Sequence, residues 1–289
     1  MKPIGNSELI INNDGSVFHL HLLPEQLAEN VILVGDQNRV PIVASFFDKK
    51  EYETNNREFK SITGTYKNKP ITVLSTGIGT DNVDIVINEL DALVNVDFKT
   101  RMINPKLKQL NIVRVGTSGG LQPECDLGSF VVSEKSIGFD GLLNFYADRD
   151  KVSDLDFEKE FVRQVIWADS HPAPYVVSAD KELVNRIAKD DMIRGVTISA
   201  NGFYGPQGRE VRLKLADPRL NEKIENFRYN NYKITNFEME SSAVAGLSRM
   251  LGHKAMTVCV IIANRLAKSA NVNYQRSIEN LIETVLERI

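Results

Sequence analysis

The sequence predicts an α/β protein in which strands and helices alternate around a sheet. Three observations carry that expectation. Short β-branched runs recur and close on glycine, at residues 31–35 (Val-Ile-Leu-Val-Gly), 71–79 (Ile-Thr-Val-Leu-Ser-Thr-Gly-Ile-Gly) and 110–120 (Leu-Asn-Ile-Val-Arg-Val-Gly-Thr-Ser-Gly-Gly). Stretches with helical spacing of apolar residues stand between them. The polar residues capable of chemistry fall at the carboxyl ends of strands, where ligands sit in α/β sheets.

Along the chain, residues 31–35 read as a strand, and Asp36 is placed to cap a helix carrying Val40, Val43, Ala44 and Phe47. Arg39 is expected one turn into that helix. Strand, Gly35 and helix start then form a seat for phosphate, although GxGxxG is absent and no dinucleotide fingerprint exists here. Residues 51–66 read as extended chain and turn, with Arg57-Glu58 an exposed ion pair worth little. Residues 71–79 are a further strand, after which Thr80 or Asp81 caps a helix with Val83, Val86, Ile87, Leu90 and Val94 on one face. Residues 95–111, polar and containing Pro105, read as a loop or short helix.

In residues 110–120, Ile112, Val113 and Val115 predict a short buried strand that ends in a turn made by Gly116, Gly119 and Gly120. Arg114 lies inside that apolar run. A buried arginine needs a partner, so its guanidinium points either at an anion or at a structural carboxylate. The Thr117 and Ser118 hydroxyls and nearby backbone N–H groups complete what a small anion requires. Strands follow at 128–133 and 196–199, helices at 155–168 and 180–189, and 140–156 is charged and irregular. Residues 201–209 (Asn-Gly-Phe-Tyr-Gly-Pro-Gln-Gly-Arg) form a loop, since three glycines and a proline exclude a regular element. Phe203, Tyr204, Gln207 and Arg209 there suit a planar heterocycle, stacked on its face and read at its edge. Residues 234–237 are a strand that ends in Glu238-Met239-Glu240, before a helix opening at Ser241 or Ser242 and stopping at Gly252. The two glutamates are either ligand contacts or acids favoured by the helix dipole. Residues 255–263 read as a central buried strand ending in Asn264-Arg265, and 274–289 as an amphipathic helix burying Ile278, Leu281, Ile282, Val285 and Ile289.

No repeat or linker divides the 289 residues, so one domain is expected over 1–289, with 1–16 as an N-terminal extension. A formal net charge of −3 with no long basic run argues against bulk-charge binding to nucleic acid. Two distant cysteines provide no disulfide framework, so a reducing cytoplasm is the default. The first twenty residues lack a signal-peptide pattern and no apolar run reaches about 18 residues, so no membrane partner is expected. The histidines and cysteines do not cluster at ligand spacing, which argues against zinc.

Taken together, Phe18-His19-Leu20, Gly35-Asp36 with Arg39, Arg57-Glu58-Phe59, Ser75-Thr-Gly-Ile-Gly79, Arg114-Val-Gly-Thr-Ser-Gly119, Phe203 with Gln207-Gly-Arg209, and Glu238-Met-Glu-Ser241 resemble the nucleoside phosphorylase family. Within it, the resemblance is to the uridine phosphorylases, from about Val17 to the C-terminus. It implies a single-domain, three-layer α/β fold whose central sheet is mixed, twisted and partly barrel-like. It implies phosphorolysis of uridine to uracil and ribose 1-phosphate, in pyrimidine salvage, with phosphate as co-substrate and no cofactor. Phosphate would meet Gly35, Arg39, Arg114 and Thr117, together with Arg57 of a neighbouring subunit. Ribose would meet Met239 and Glu240, and the neighbour's His19. Phe203, Gln207 and Arg209 would hold the base. Arg114, Arg39, Glu240 and Arg209 carry the catalytic expectation, and a homo-oligomer of at least two subunits would share its sites. Some bacterial relatives hold a monovalent cation between subunits; Glu58 and Ile78 match that set, but Asn82 stands where they have serine. Hexameric purine relatives carry an aspartate after the late buried strand, where this chain has Asn264-Arg265. A purine phosphorylase or a nucleosidase of the same fold is the enzyme alternative, and an idle nucleoside-binding protein the non-enzyme one.

Overall fold

The computed structural model describes residues 2–264, 269–270 and 273–289. Strands β1 (Asn30–Val34), β2 (Lys49–Asn56), β3 (Phe59–Tyr66), β4 (Lys69–Ser75), β5 (Val96–Asp97), β6 (Met102–Ile103) and β7 (Asn111–Gly120) occupy the first half. They are followed by β8 (Phe130–Gly138), β9 (Tyr175–Ser178), β10 (Ile193–Ser199), β11 (Arg228–Tyr229), β12 (Tyr232–Glu238), β13 (Lys254–Asn264) and β14 (Ser269–Ala270). The helices are α1 (Arg39–Ala44), α2 (Thr80–Asn95), α3 (Leu155–Val165), α4 (Lys181–Ile187), α5 (Leu220–Asn226), α6 (Ser241–Met250) and α7 (Gln275–Arg288).

One sheet runs in the order β11-β12-β10-β8-β13-β7-β1-β4-β3-β2, with β9 added to β8 and β14 to β13. A further pairing of β12 with β7 closes β12, β10, β8, β13 and β7 into a five-stranded barrel. The sheet is mixed: β1 is parallel to β4 and β7, and β13 is parallel to β7 but antiparallel to β8. The barrel-like, mixed sheet thus agrees with the fold expected.

Alternation along β1 shows how the layers form. Ile32 and Val34 face α1, α4 and α7, whereas Val31 and Leu33 face α2 and α6. A third apolar cluster joins α3 and α5 to β10, β12 and the end of β8 through Phe157, Phe161, Ile198, Phe227 and Phe237. These three clusters leave the carboxyl ends of β1, β7 and β12 on one side, which is where the polar residues gather.

Several local expectations need correction. Asn38, not Asp36, precedes α1; the Asp36 carboxylate accepts from the Asn38 N–H (2.9 Å) in the turn, and Arg39 is the first helical residue rather than one turn in. Gly79, at φ +100°, stands at the N-cap of α2 in place of Thr80 or Asp81. Residues 51–66 are two paired strands, and 95–111 contain the small β5–β6 hairpin. The strand β7 does not stop at Gly116 but continues to Gly120, because β13 hydrogen-bonds it along that whole length. The strand β9, despite its Tyr175-Val-Val run, and the helix α5, which has little signal, lie outside the expected elements. Within the loop 201–209, residues Gly205–Gln207 form one short 3-10 turn. Arg265 lies outside the described residues.

Candidate active site

A cavity of about 1160 Å³ opens over the carboxyl ends of β1, β7 and β12. Its lining includes Gly35, Arg39, Arg114 and Thr117, then Glu238, Met239 and Glu240, then Phe203, Gln207 and Arg209. Nine of the residues expected at the site therefore share one space: Gly35, Arg39, Arg114, Thr117, Phe203, Gln207, Arg209, Met239 and Glu240.

Arg114 is the buried centre, only 4% exposed. Its guanidinium folds back along its own strand over Gly116, where a Cβ would come within 2.4 Å of Nη1 and 3.0 Å of the Cys259 Sγ. Glycine is needed here for that reason, and not to make a turn. Arg114 donates through Nη2 to Glu240, and its Nη1 lies 3.1 Å from Glu238 Oε2. Arg39 reaches in from the start of α1, its Nη1 donating to the Val115 carbonyl at 3.4 Å. Burial, and then the like charge of Arg114, hold the Arg39 guanidinium below its ordinary pKa. Burial alone would lower Arg114 too, but the adjacent Glu240 and Glu238 carboxylates outweigh it and raise the value. Two close guanidiniums under a glycine-containing turn present an anion seat. The Ser118 hydroxyl, buried against the same cavity, has no hydrogen-bond partner among the described residues.

Glu240 stands at the N-cap of α6, and its Oε1 accepts from the Gly79 N–H at 2.8 Å. Burial pushes its carboxyl up from the ordinary value, Arg114 pulls it back, and the neighbouring Glu238 pushes it up again; the net direction is upward. Burial is the main cause, and the one negative charge in excess, with a single guanidinium between two carboxylates, adds to it. Burial likewise pushes the Cys259 thiol to about 12, so it remains a neutral neighbour of Arg114.

At the far end, the loop 201–209 is already assembled. The Arg209 guanidinium lies 3.6 Å from the Phe203 ring centroid, and Nη1 donates to the Phe203 carbonyl (2.5 Å) and to Gln207 Oε1 (2.6 Å). Gly208, at φ +66°, turns the chain so that Gln207 and Arg209 reach the same cavity; a Cβ there would strike the Asn221 side chain at 2.2 Å. Gln207 is buried, while Phe203 is half-exposed at the rim.

His19 and Arg57 do not line this cavity. Arg57, exposed at the two-residue turn between β2 and β3 with φ +53°, lies over the Phe18 ring at 5.9 Å. His19 packs edge-on against the same ring and Nδ1 is 2.6 Å from Glu89 Oε1. Together they make a patch around Phe18 next to the cavity wall: Arg57 is exposed and His19 half-buried, while Glu58 and Gln37, which adjoin Arg57, line the cavity. Glu238 is not among the residues expected at the site: two glutamates beside a helix start are visible in the sequence, but not that both contact the arginine. Tyr274, just before α7, also lines the cavity, and nothing in its local sequence signals it.

A family profile described as the phosphorylase superfamily matches residues 29–289. A uridine phosphorylase of Thermococcus kodakarensis is 29% identical over 261 residues, covering 88% of this chain and 79% of that protein. A DeoD-type purine nucleoside phosphorylase of Proteus mirabilis is 26% identical over 275 residues, covering 94% and 96%. Among solved structures, a Trypanosoma brucei nucleoside phosphorylase that shows uridine phosphorylase activity superposes with a TM-score of 0.87 at 29% identity, covering 97% of this chain and 98% of that one. With nine-tenths of its length matched, the chain belongs to the phosphorylase superfamily.

Proposed function

We propose that this protein catalyses the reversible phosphorolysis of uridine, giving uracil and ribose 1-phosphate. The observation that carries the reading is the order of groups within one cavity: guanidiniums at one end, the Phe203–Gln207–Arg209 loop at the other, and Glu240 between them. The uridine phosphorylases among the relatives support the same choice.

Phosphate is seated by Arg39, Arg114, the Thr117 hydroxyl and the Gly35 amide. These groups neutralise a nucleophile that the nearby carboxylates would otherwise repel. Glu240 accepts hydrogen bonds from the ribose hydroxyls and Met239 flanks the sugar. A phosphate oxygen forms its bond to C1′ as the bond from C1′ to the base nitrogen breaks, through an oxocarbenium-like sugar. The departing pyrimidine takes the electron pair, and Arg209 and Gln207 meet the charge that spreads to its oxygens. No covalent enzyme intermediate and no cofactor is required. The cation of some bacterial relatives does not suit this residue set, because Asn82 Nδ2 already donates to the Ile78 carbonyl (3.4 Å) that such an ion would use.

Asn264 bears on the purine alternative. It lines the cavity, but its amide donates to the Gln122 and Cys125 carbonyls (3.2 and 2.8 Å) and carries no proton for a purine leaving group. We further propose a homo-oligomer whose subunits lend Arg57 and His19 to each other's sites, since neither residue lines the cavity of its own chain. A cytoplasmic location, with nucleosides and phosphate rather than nucleic acid or membrane as partners, completes the reading. No helix among the described residues is long and apolar enough to cross a membrane.

The test follows free base from uridine, thymidine and inosine, each with and without phosphate. Uracil release that depends on phosphate is expected. Release without phosphate, or faster turnover of inosine, would overturn the assignment, and saturable uridine binding with no turnover would make the protein a binding module.

A further inference from the structure

We propose that Glu238 is a positioning residue: a fixed counter-ion that keeps Arg114 aimed at phosphate when Glu240 leaves it for the sugar. The inference rests on the phosphate seat proposed above.

The two carboxylates on Arg114 are held very differently. Glu238, 4% exposed at the end of β12, accepts from the Ser199 hydroxyl (2.7 Å), the Ser241 hydroxyl (2.7 Å), and the Glu240 and Ser241 N–H groups (2.9 and 3.0 Å). With Arg114 Nη1 at 3.1 Å, these donors take up the acceptor positions of the carboxylate. Glu238 has nothing left to offer a ligand and no freedom to turn. Among the described residues Glu240 accepts from just one backbone group, the Gly79 N–H, besides Arg114, and its other neighbour is the Glu238 carboxylate, which cannot anchor it as a donor would when both are ionised. It is the carboxylate that can be given up to ribose hydroxyls.

When that happens, Arg114 loses one of its two anchors. Glu238 retains Nη1, so the guanidinium stays in its plane over Gly116 while its other edge becomes available to phosphate. Glu238 also accepts from the Glu240 and Ser241 N–H groups at the start of α6, contacts that a neutral or shorter oxygen acceptor at the same position can also make, so the sugar carboxylate keeps its place when the charge on Arg114 is altered. Its effect is exerted through Arg114, and it need not touch substrate.

Two substitutions test this. Glu238→Gln keeps the shape and removes the charge. Glu238→Asp keeps the charge but shortens its reach by one methylene, drawing it back from Arg114 Nη1. Thermal stability is measured with and without inorganic phosphate, and KM for phosphate and for uridine are compared. Both variants should lose most of the phosphate-induced rise in Tm and raise the phosphate KM about tenfold or more, the loss expected for a hydrogen bond to a buried charge. The uridine KM should move less than about threefold. A merely structural role would lower Tm in both conditions and leave the phosphate-dependent rise intact. That outcome, or an equal change in both KM values, overturns the proposal. A wild-type protein that phosphate stabilises but that does not cleave uridine would refute the uridine assignment alone. Absence of any phosphate effect on the wild type would remove the seat and Glu238's role with it.

Discussion

Glu240 occupies an unfavourable position for stability and a useful one for chemistry. Its carboxyl is raised above the ordinary value mainly by burial, with Glu238 adding to the effect and Arg114 opposing it. Between the ordinary and the raised value, the folded chain holds a proton that the unfolded chain has released. Stability therefore falls as pH rises through that window, whereas nucleoside binding, which uses the ionised form, falls as pH drops through it. Glu240→Gln removes the excess negative charge from the buried trio and leaves Arg114 paired with Glu238. The variant should melt at the wild-type temperature or above it at neutral pH, while kcat/KM for uridine falls about a hundredfold or more through loss of charged hydrogen bonds to the sugar. Calorimetry and initial rates across pH check both halves, and the acid limb of the uridine profile should flatten in the variant. A large drop in Tm would mean that Glu240 holds the fold together rather than serving the ligand. The thiols predict a null result: burial pushes Cys125 to about 11 and Cys259 to about 12, so alkylating reagents should not inactivate the folded protein at neutral pH.

The strand β7 shows how an element can be recognised and yet misread. Its β-branched residues announced a strand, and Arg114 announced a site, but the glycines suggested a turn. Pairing with β13 over the full length overrides that local preference, as tertiary context often does in sheets. Gly116 is there to make room for a guanidinium two residues back on the same face. Gly116→Ala should push Arg114 out of line, raising the phosphate KM at least about tenfold, with overpacking costing roughly 1–3 kcal/mol of stability. Phosphate kinetics together with a denaturant titration would check this, and unchanged phosphate kinetics would show that Arg114 has another resting place. The loop 201–209 was legible for the opposite reason: aromatic, amide and guanidinium groups crowd a segment that glycine and proline bar from regular structure. The strand β9 is only four residues long, too short for its Tyr175-Val-Val run to stand out between charged and proline-containing segments, and the short helix α5 owes its conformation to packing through Ile224 rather than to a pattern of its own.

Across the whole molecule, the alternation of strands and helices made the layers legible, but barrel closure was not readable from any single segment. It depends on β12 meeting β7, elements more than one hundred residues apart that no local spacing connects. The same limit applies to the distribution of the site over the surface. Nine of the expected residues converge in one cavity, while His19 and Arg57 sit around Phe18 outside its lining. An exposed arginine over an aromatic ring contributes little to its own subunit. In the proposed two-fold dimer, such a patch would stand opposite the partner's cavity, so each site would be completed in trans. Complementation tests this directly. Arg114→Ala disables a subunit's own cavity, whereas Arg57→Ala disables the cavity of its neighbour. Dimers carrying one of each, isolated through two different affinity tags, contain one intact site, formed by the Arg57→Ala subunit's cavity and the other subunit's Arg57. They should recover about half of the wild-type turnover per dimer, although each parent is nearly inactive. Hybrids no more active than the parents would confine each site to one chain, and Arg57 would then be a surface residue.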